Sequence, residues 1–150
     1  MQPQRRELLK LLSLMAAAGL LPVRAARSED WNKAAFEAKK MDDVVRMFGG
    51  GAPQQSIDLV LNGPEIAENG AVVPLEIESK LSNTESIAIL IEKNPNILAA
   101  YFGIPPGTLP WLQTRVKMAE TCTVYALARA GGRFYYAARE IKVTIGGCGT

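Results

Sequence analysis

The sequence has no histidine at any of its 150 positions. That absence removes imidazole bases, His-dependent triads and the commonest metal ligand. Cysteine is scarce as well: Cys122 and Cys148 stand alone and far apart, so they make no zinc or iron–sulfur ligand set, and no cofactor is expected. Long apolar runs are missing too. The stretch from Leu11 to Leu21 falls well short of the roughly 20 residues that a membrane-spanning helix requires. Internal repeats and low-complexity segments are also absent.

What is present begins with an address label. Residues 1–25 carry adjacent Arg5 and Arg6, then Lys10, the short apolar run, and small residues around Val23-Arg24-Ala25. A basic flank, a short apolar core and a Val-x-Ala cleavage site describe an export signal. The paired arginines match the twin-arginine type, which exports proteins already folded. An ordinary secretory signal or an uncleaved anchor is the alternative. The whole chain has 17 basic and 15 acidic side chains. The signal takes Arg5, Arg6, Lys10, Arg24 and Glu7 with it, leaving 13 basic against 14 acidic. The basic character of the precursor therefore belongs to the signal and is no argument for nucleic-acid binding. A mature chain of about 125 residues suits one domain with a modest core. With no visible cofactor to explain folded export, a partner lacking its own signal is the remaining reason, which points to a heteromer.

Residues 26–48 are expected to form one N-terminal helix. Trp31, Ala34, Ala38, Met41, Val45 and Phe48 recur at steps of three and four, the spacing of one helix face packed on a sheet or a partner. Ser28 can cap its start, and Gly49–Pro53 stops it as a hinge. From residue 54 to 145 the period changes to that of strands. Asn69-Gly70 predicts a hairpin. Pro74, lacking a ladder donor, predicts an edge strand or a bulge. Gly131-Gly132 predicts the last hairpin turn. Short strands with turn signals between them predict an all-β, immunoglobulin-like sandwich.

The last strand, from Phe134 to about Ile145, delivers residues 146–150, "GGCGT". Gly146, Gly147 and Gly149 lack a Cβ and free the backbone from β geometry, so Cys148 sits on a thin flexible arm attached to a stiff base. Its thiol has no lysine or arginine within the last seven residues to favour ionisation, and the carboxylate at Thr150 opposes it. Such a cysteine activates itself poorly, but it enters another protein's site easily. The residues leave a second reading open, a disulfide to Cys122 that staples an exported binding or chaperone module.

The tail "VTIGGCG" resembles the closing motif of the SoxY family. "PEIAENGAVVPLEIES" at Pro64–Ser79 and "RFYYAAREIKVTIGGCG" at Arg133–Gly149 resemble the same family. The resemblance covers essentially the whole mature chain, with one departure: the family motif usually closes in Gly-Gly, whereas Thr150 follows Gly149 here. It implies a periplasmic sulfur carrier without catalytic activity of its own. Cys148 would be its covalent attachment point for sulfur intermediates of thiosulfate oxidation, with Gly146, Gly147 and Gly149 as the mechanical arm. It further implies a heterodimer with SoxZ and transient visits to a haem thiol-oxidising enzyme, a sulfate-releasing hydrolase and a sulfane dehydrogenase. The motif gives Cys122 no role.

Overall fold

The structure is a computed structural model that describes residues 32–145; Ser28 and Trp31 lie outside these residues. Two short helices open it, α1 (Lys33–Glu37) and α2 (Met41–Met47). The strands among the described residues are β1 (Gln54–Gln55), β2 (Leu59–Asn62), β3 (Ile66–Ala67), β4 (Val73–Ser79), β5 (Thr84–Ile91), β6 (Leu98–Gly103), β7 (Trp111–Val116), β8 (Cys122–Ala130) and β9 (Arg133–Val143). They form two sheets. The larger runs β1-β9-β8-β5-β6 with β3 also on β9, and the smaller runs β2-β4-β7. The chain is thus a mostly β sandwich with short helices at its N-terminal side, as the strand spacing predicts.

The larger sheet is buried on both faces, which explains the unbroken apolar run Ile87–Ile91 in β5. Ile87, Ile89 and Ile91 join Val124, Ala126, Ile141 and the inner residues Leu59, Leu75 and Ile77 of the smaller sheet in one core. Ala88, Leu90, Leu127 and Phe134 point the other way and pack under Ala35, Val44 and Val45 of the helices. Each large side chain withdrawn from water in this way contributes about 1.5–3 kcal/mol. A central strand flanked by two such cores has little freedom to shift register, since a one-residue slip would exchange its two faces.

Three expectations need correction. The single helix is two, because Ala38 to Lys40 leave helical geometry. The Ala38 carbonyl accepts from the Ile97 amide at 3.2 Å, and the Lys39 ammonium donates to the Pro95 carbonyl and to Asn96 Oδ1. These tertiary bonds replace the next helical turn. Ala35, capped by Asn32 Oδ1 at 3.1 Å, is buried in place of Ala34, which is exposed.

The second correction concerns Asn69-Gly70, where a turn forms but no hairpin. Asn69 Oδ1 accepts from the Ala71 amide at 2.8 Å, yet β3 before it pairs with β9 while β4 after it pairs with β2 and β7. The turn carries the chain from one sheet to the other.

Third, β4 is the middle strand of its sheet. Pro74 is tolerated there because β2 ends at the pair Asn62↔Glu76, so at Pro74 the strand has β7 alone beside it.

The glycine run after α2 also does more than loosen the chain. Gly49 at φ +75° donates to the Arg46 carbonyl and Gly50 to that of Val45, both at 2.9 Å, which is a Schellman closure. A Cβ on Gly50 would stand 2.3 Å from the Phe134 ring and 2.9 Å from Val45 Cγ1. Gly50 therefore lets α2 sit down on β9. Gly50→Ala is expected to lower unfolding stability by about 1–3 kcal/mol through overpacking, measured by urea titration. Gly51→Ala, with open space at its Cβ, should stay within about 0.5 kcal/mol of the parent.

Candidate functional site

The residues singled out for function, Gly146, Gly147, Cys148 and Gly149, lie outside the described residues, as do Arg5 and Arg6. The structure does describe the strand end from which residues 146–150 continue. β9 pairs antiparallel with β8 along its length, from Ala130↔Arg133 to Cys122↔Ile141. On its other edge it pairs parallel with β1 at Tyr135 and Tyr136 and with β3 at Lys142 and Val143. The Gly131-Gly132 turn that starts β9 has both φ values positive, 54° and 75°, the geometry of a tight hairpin.

Beyond the ladder the strand end is sewn down residue by residue. On the β8 side, the Val143 amide donates to Thr121 Oγ1 at 2.9 Å. On the β3 side, the Lys142 amide donates to the Glu65 carbonyl at 2.9 Å and the Thr144 amide to that of Ala67 at 3.1 Å. Thr144 Oγ1 adds a bond to the Glu68 carbonyl at 2.9 Å. The Ile145 carbonyl accepts from Gly70 at 2.8 Å, and the Gly70 carbonyl accepts from Met118 at 2.7 Å. The Asn69-Gly70 turn therefore clasps the end of β9 and ties it to the buried Met118 in the core. These bonds make the polypeptide firm up to Ile145, three positions before Cys148.

Cys122 has a different setting. It is free, 5% exposed and part of the core between the sheets. Burial raises its pKa, the backbone hydrogen bond at Lys93 opposes that rise, and the Glu92 charge adds to it. A buried, protonated thiol is a poor nucleophile, so Cys122 acts as a small packed side chain. Among the described residues no three His, Cys, Asp or Glu side chains stand together as a metal site, and no helix is long and apolar enough to cross a membrane.

Charged groups near the arm base were not singled out by sequence. Arg139 and Lys142, with Glu65, Glu140 and Ile66, line a cavity of about 350 Å³ on the edge of β9. No sequence signal marks this cavity, because it exists where β1 has left the strand and β3 has only just joined it.

Thr144 offers a direct probe of the clasp. Thr144→Ala removes one hydrogen bond, worth about 0.5–1.5 kcal/mol net. It is expected to speed amide hydrogen exchange at Gly70 by about two- to tenfold while exchange in β5 stays unchanged.

A family model and a solved structure point to the same family. The model of the family described as "Sulfur oxidation protein SoxY" matches residues 44–148. The solved structure of the sulfur carrier protein SoxY from Chlorobium limicola f thiosulfatophilum is similar at 36% identity and TM-score 0.63, covering 69% of this chain and 94% of that chain. A superoxide reductase (neelaredoxin) from Ignicoccus hospitalis aligns at 15% identity and TM-score 0.47, covering 57% of this chain and 79% of that one. No curated protein matches the chain.

Proposed function

The chain belongs to the SoxY family of sulfur oxidation proteins, and on that footing we propose that it carries sulfur intermediates of thiosulfate oxidation covalently on Cys148. The observation that carries this reading is the contrast at Ile145. Hydrogen bonds from both edges hold the chain up to that residue, and a cysteine set among three glycines follows within three positions. The family match extends to that cysteine.

In this reading the protein supplies a thiol and partners supply the catalysis. Loading joins the Cys148 sulfur to the outer sulfur of thiosulfate. The thiol loses its proton, two electrons pass to an oxidising partner, and a Cys–S–S–SO₃⁻ adduct results. Hydrolysis by a second partner releases sulfate and leaves a persulfide, Cys–S–SH, whose outer sulfur is oxidised or passed on. Every partner must reach the same atom, so the arm has to be narrow. Gly146, Gly147 and Gly149 present little more than backbone around the sulfur, and their freedom in φ lets one arm fit differently shaped sites.

The same reading places the protein in the periplasm, exported folded through the signal with Arg5 and Arg6, in a heterodimer with SoxZ. The buried side chains of both helices pack on the chain's own sheet, so that apolar stripe is not spare surface for a partner. Leu109 and Trp111 remain exposed. The rival disulfide staple is opposed by the burial of Cys122: its sulfur faces the inter-sheet core, and pairing would draw the arm in among packed side chains.

Two substitutions test the reading. Cys148→Ala is expected to abolish thiosulfate-dependent electron release in the reconstituted system and to leave the melting temperature unchanged, whereas a staple predicts a drop of several degrees. Gly147→Val should slow handover to at least one partner with stability intact. Normal turnover of that variant with the full partner set would refute the mechanical role of the glycine.

A further inference from the structure

Asn69-Gly70 does more than turn the chain. Asparagine followed by glycine is the dipeptide most open to succinimide formation, because a residue with no Cβ leaves its peptide nitrogen unshielded. That nitrogen attacks the side-chain carboxamide carbon of the asparagine once it has lost its proton. Three features of the turn bear on this step. Asn69 is exposed. Its Oδ1 accepts from the Ala71 amide at 2.8 Å, which curls the carboxamide back over the Gly70 peptide. The same bond puts a donor on the oxygen that gains negative charge when the carbon is attacked. Gly70, by contrast, is buried, and its amide donates to the Ile145 carbonyl at 2.8 Å. The electrophile is set and the nucleophile is held.

The sequence has a second Asn-Gly step, Asn62-Gly63, and it lacks this arrangement. Asn62 ends β2 in extended geometry opposite Glu76, so its side chain stands off the sheet and away from the following peptide. Gly63 is close-packed: a Cβ there would stand 2.9 Å from Leu75 Cδ2. Asn62 is therefore an internal reference, clear of the clasp on β9. Loss of the Gly70 proton to base is also the first step of amide hydrogen exchange at Gly70. Base reaches that proton only when the bond to Ile145 opens. One local opening thus limits both reactions.

We propose that Asn69 is a latched site of spontaneous deamidation, and that its conversion to isoaspartate irreversibly releases the end of β9. Asn69 Cγ forms a bond to the Gly70 nitrogen and loses its amino group as ammonia, which takes up the proton given by the Gly70 amide. Water then opens the ring at one carbonyl or the other and leaves aspartate or isoaspartate. Only water and hydroxide are consumed or turned over, so the reaction proceeds whether or not Cys148 carries sulfur. Isoaspartate routes the main chain through Cβ and lengthens the turn by a single carbon. Gly70 then cannot keep both its bond to Ile145 and the bond its carbonyl accepts from Met118 at 2.7 Å. The new carboxylate also adds a negative charge beside Glu68. Nothing in the chemistry reverses the change, so the released strand end marks an aged copy of the protein.

The test incubates the full chain in mildly alkaline buffer and follows the peptides containing Asn62 and Asn69 by mass spectrometry. Electron-transfer fragmentation separates aspartate from isoaspartate, and Gly70 exchange is measured on the same samples. Thr144→Ala removes the bond to the Glu68 carbonyl. It is expected to speed deamidation of Asn69 by the same factor as Gly70 exchange, about two- to tenfold, while Asn62 keeps its parent rate. In strong urea, with the clasp gone, parent and variant should deamidate at Asn69 equally fast. The isoaspartate fraction should exchange the Thr144 amide, bonded in the parent to Ala67, faster than the unmodified fraction. If Thr144→Ala unsettles the whole domain, exchange in β5 rises as well. The parent in graded low urea then supplies the comparison, and the Asn69 rate must again follow Gly70 exchange. Deamidation of Asn69 in the folded parent at the strong-urea rate, or faster Gly70 exchange without faster deamidation, would overturn the latch. Unchanged Thr144 exchange in the isoaspartate fraction would overturn the release.

Discussion

Hydrogen bonding to both edges of β9 fixes where anything attached beyond Ile145 can go. A strand end bonded on one edge frays, because every lost bond frees the next. Here Thr121 holds one edge, and the segment Glu65–Gly70 holds the other. The loop that supplies the second edge is itself tied to Met118 in the core. Residues 146–150 therefore continue from a point with nearly the rigidity of the sandwich. In the carrier reading proposed above, a short tether on such a base would keep the cargo at high effective concentration for an enzyme docked on the domain.

That rigidity is inherited from burial. β8 and β9 are covered on both faces. Val124, Ala126 and Ile141 are covered by the smaller sheet, while Leu127 and Phe134 are covered by the helices. The Gly50 contact with the Phe134 ring belongs to the same logic, since it lets α2 close the second layer. The modest helices thus serve the site indirectly: they make the strand that carries the arm part of a three-layer stack.

Much of this was legible in the sequence, for identifiable reasons. β5, β8 and β9 were readable because β-branched and aromatic runs end at turn residues such as Gly131-Gly132. The apolar spacing predicts one helix because it continues through Ala38–Lys40, where bonds to Pro95, Asn96 and Ile97 break it; nothing local announces these partners. Asn69-Gly70 specifies a turn but not which strands flank it, and β3 is a two-residue segment that pairs far along the chain with β9. Pro74 excludes a donor at one position only, so a middle strand accommodates it where its neighbour stops short. Cys148 stood out by composition alone, its bare glycine setting being unlike that of a packed thiol. The cavity beside Arg139 and Lys142 has no local sequence signal, because it depends on where β1 and β3 end against β9.

The central claim is that Cys148 bears sulfur cargo. Its most direct test is the intact mass of the protein isolated from the periplasm, before and after reduction, with the adduct mapped by peptide. The account predicts a reductant-labile gain on Cys148 equal to sulfur atoms or a thiosulfate group, with Cys122 unmodified. A protein lighter by two hydrogens, with Cys122 joined to Cys148, would contradict it.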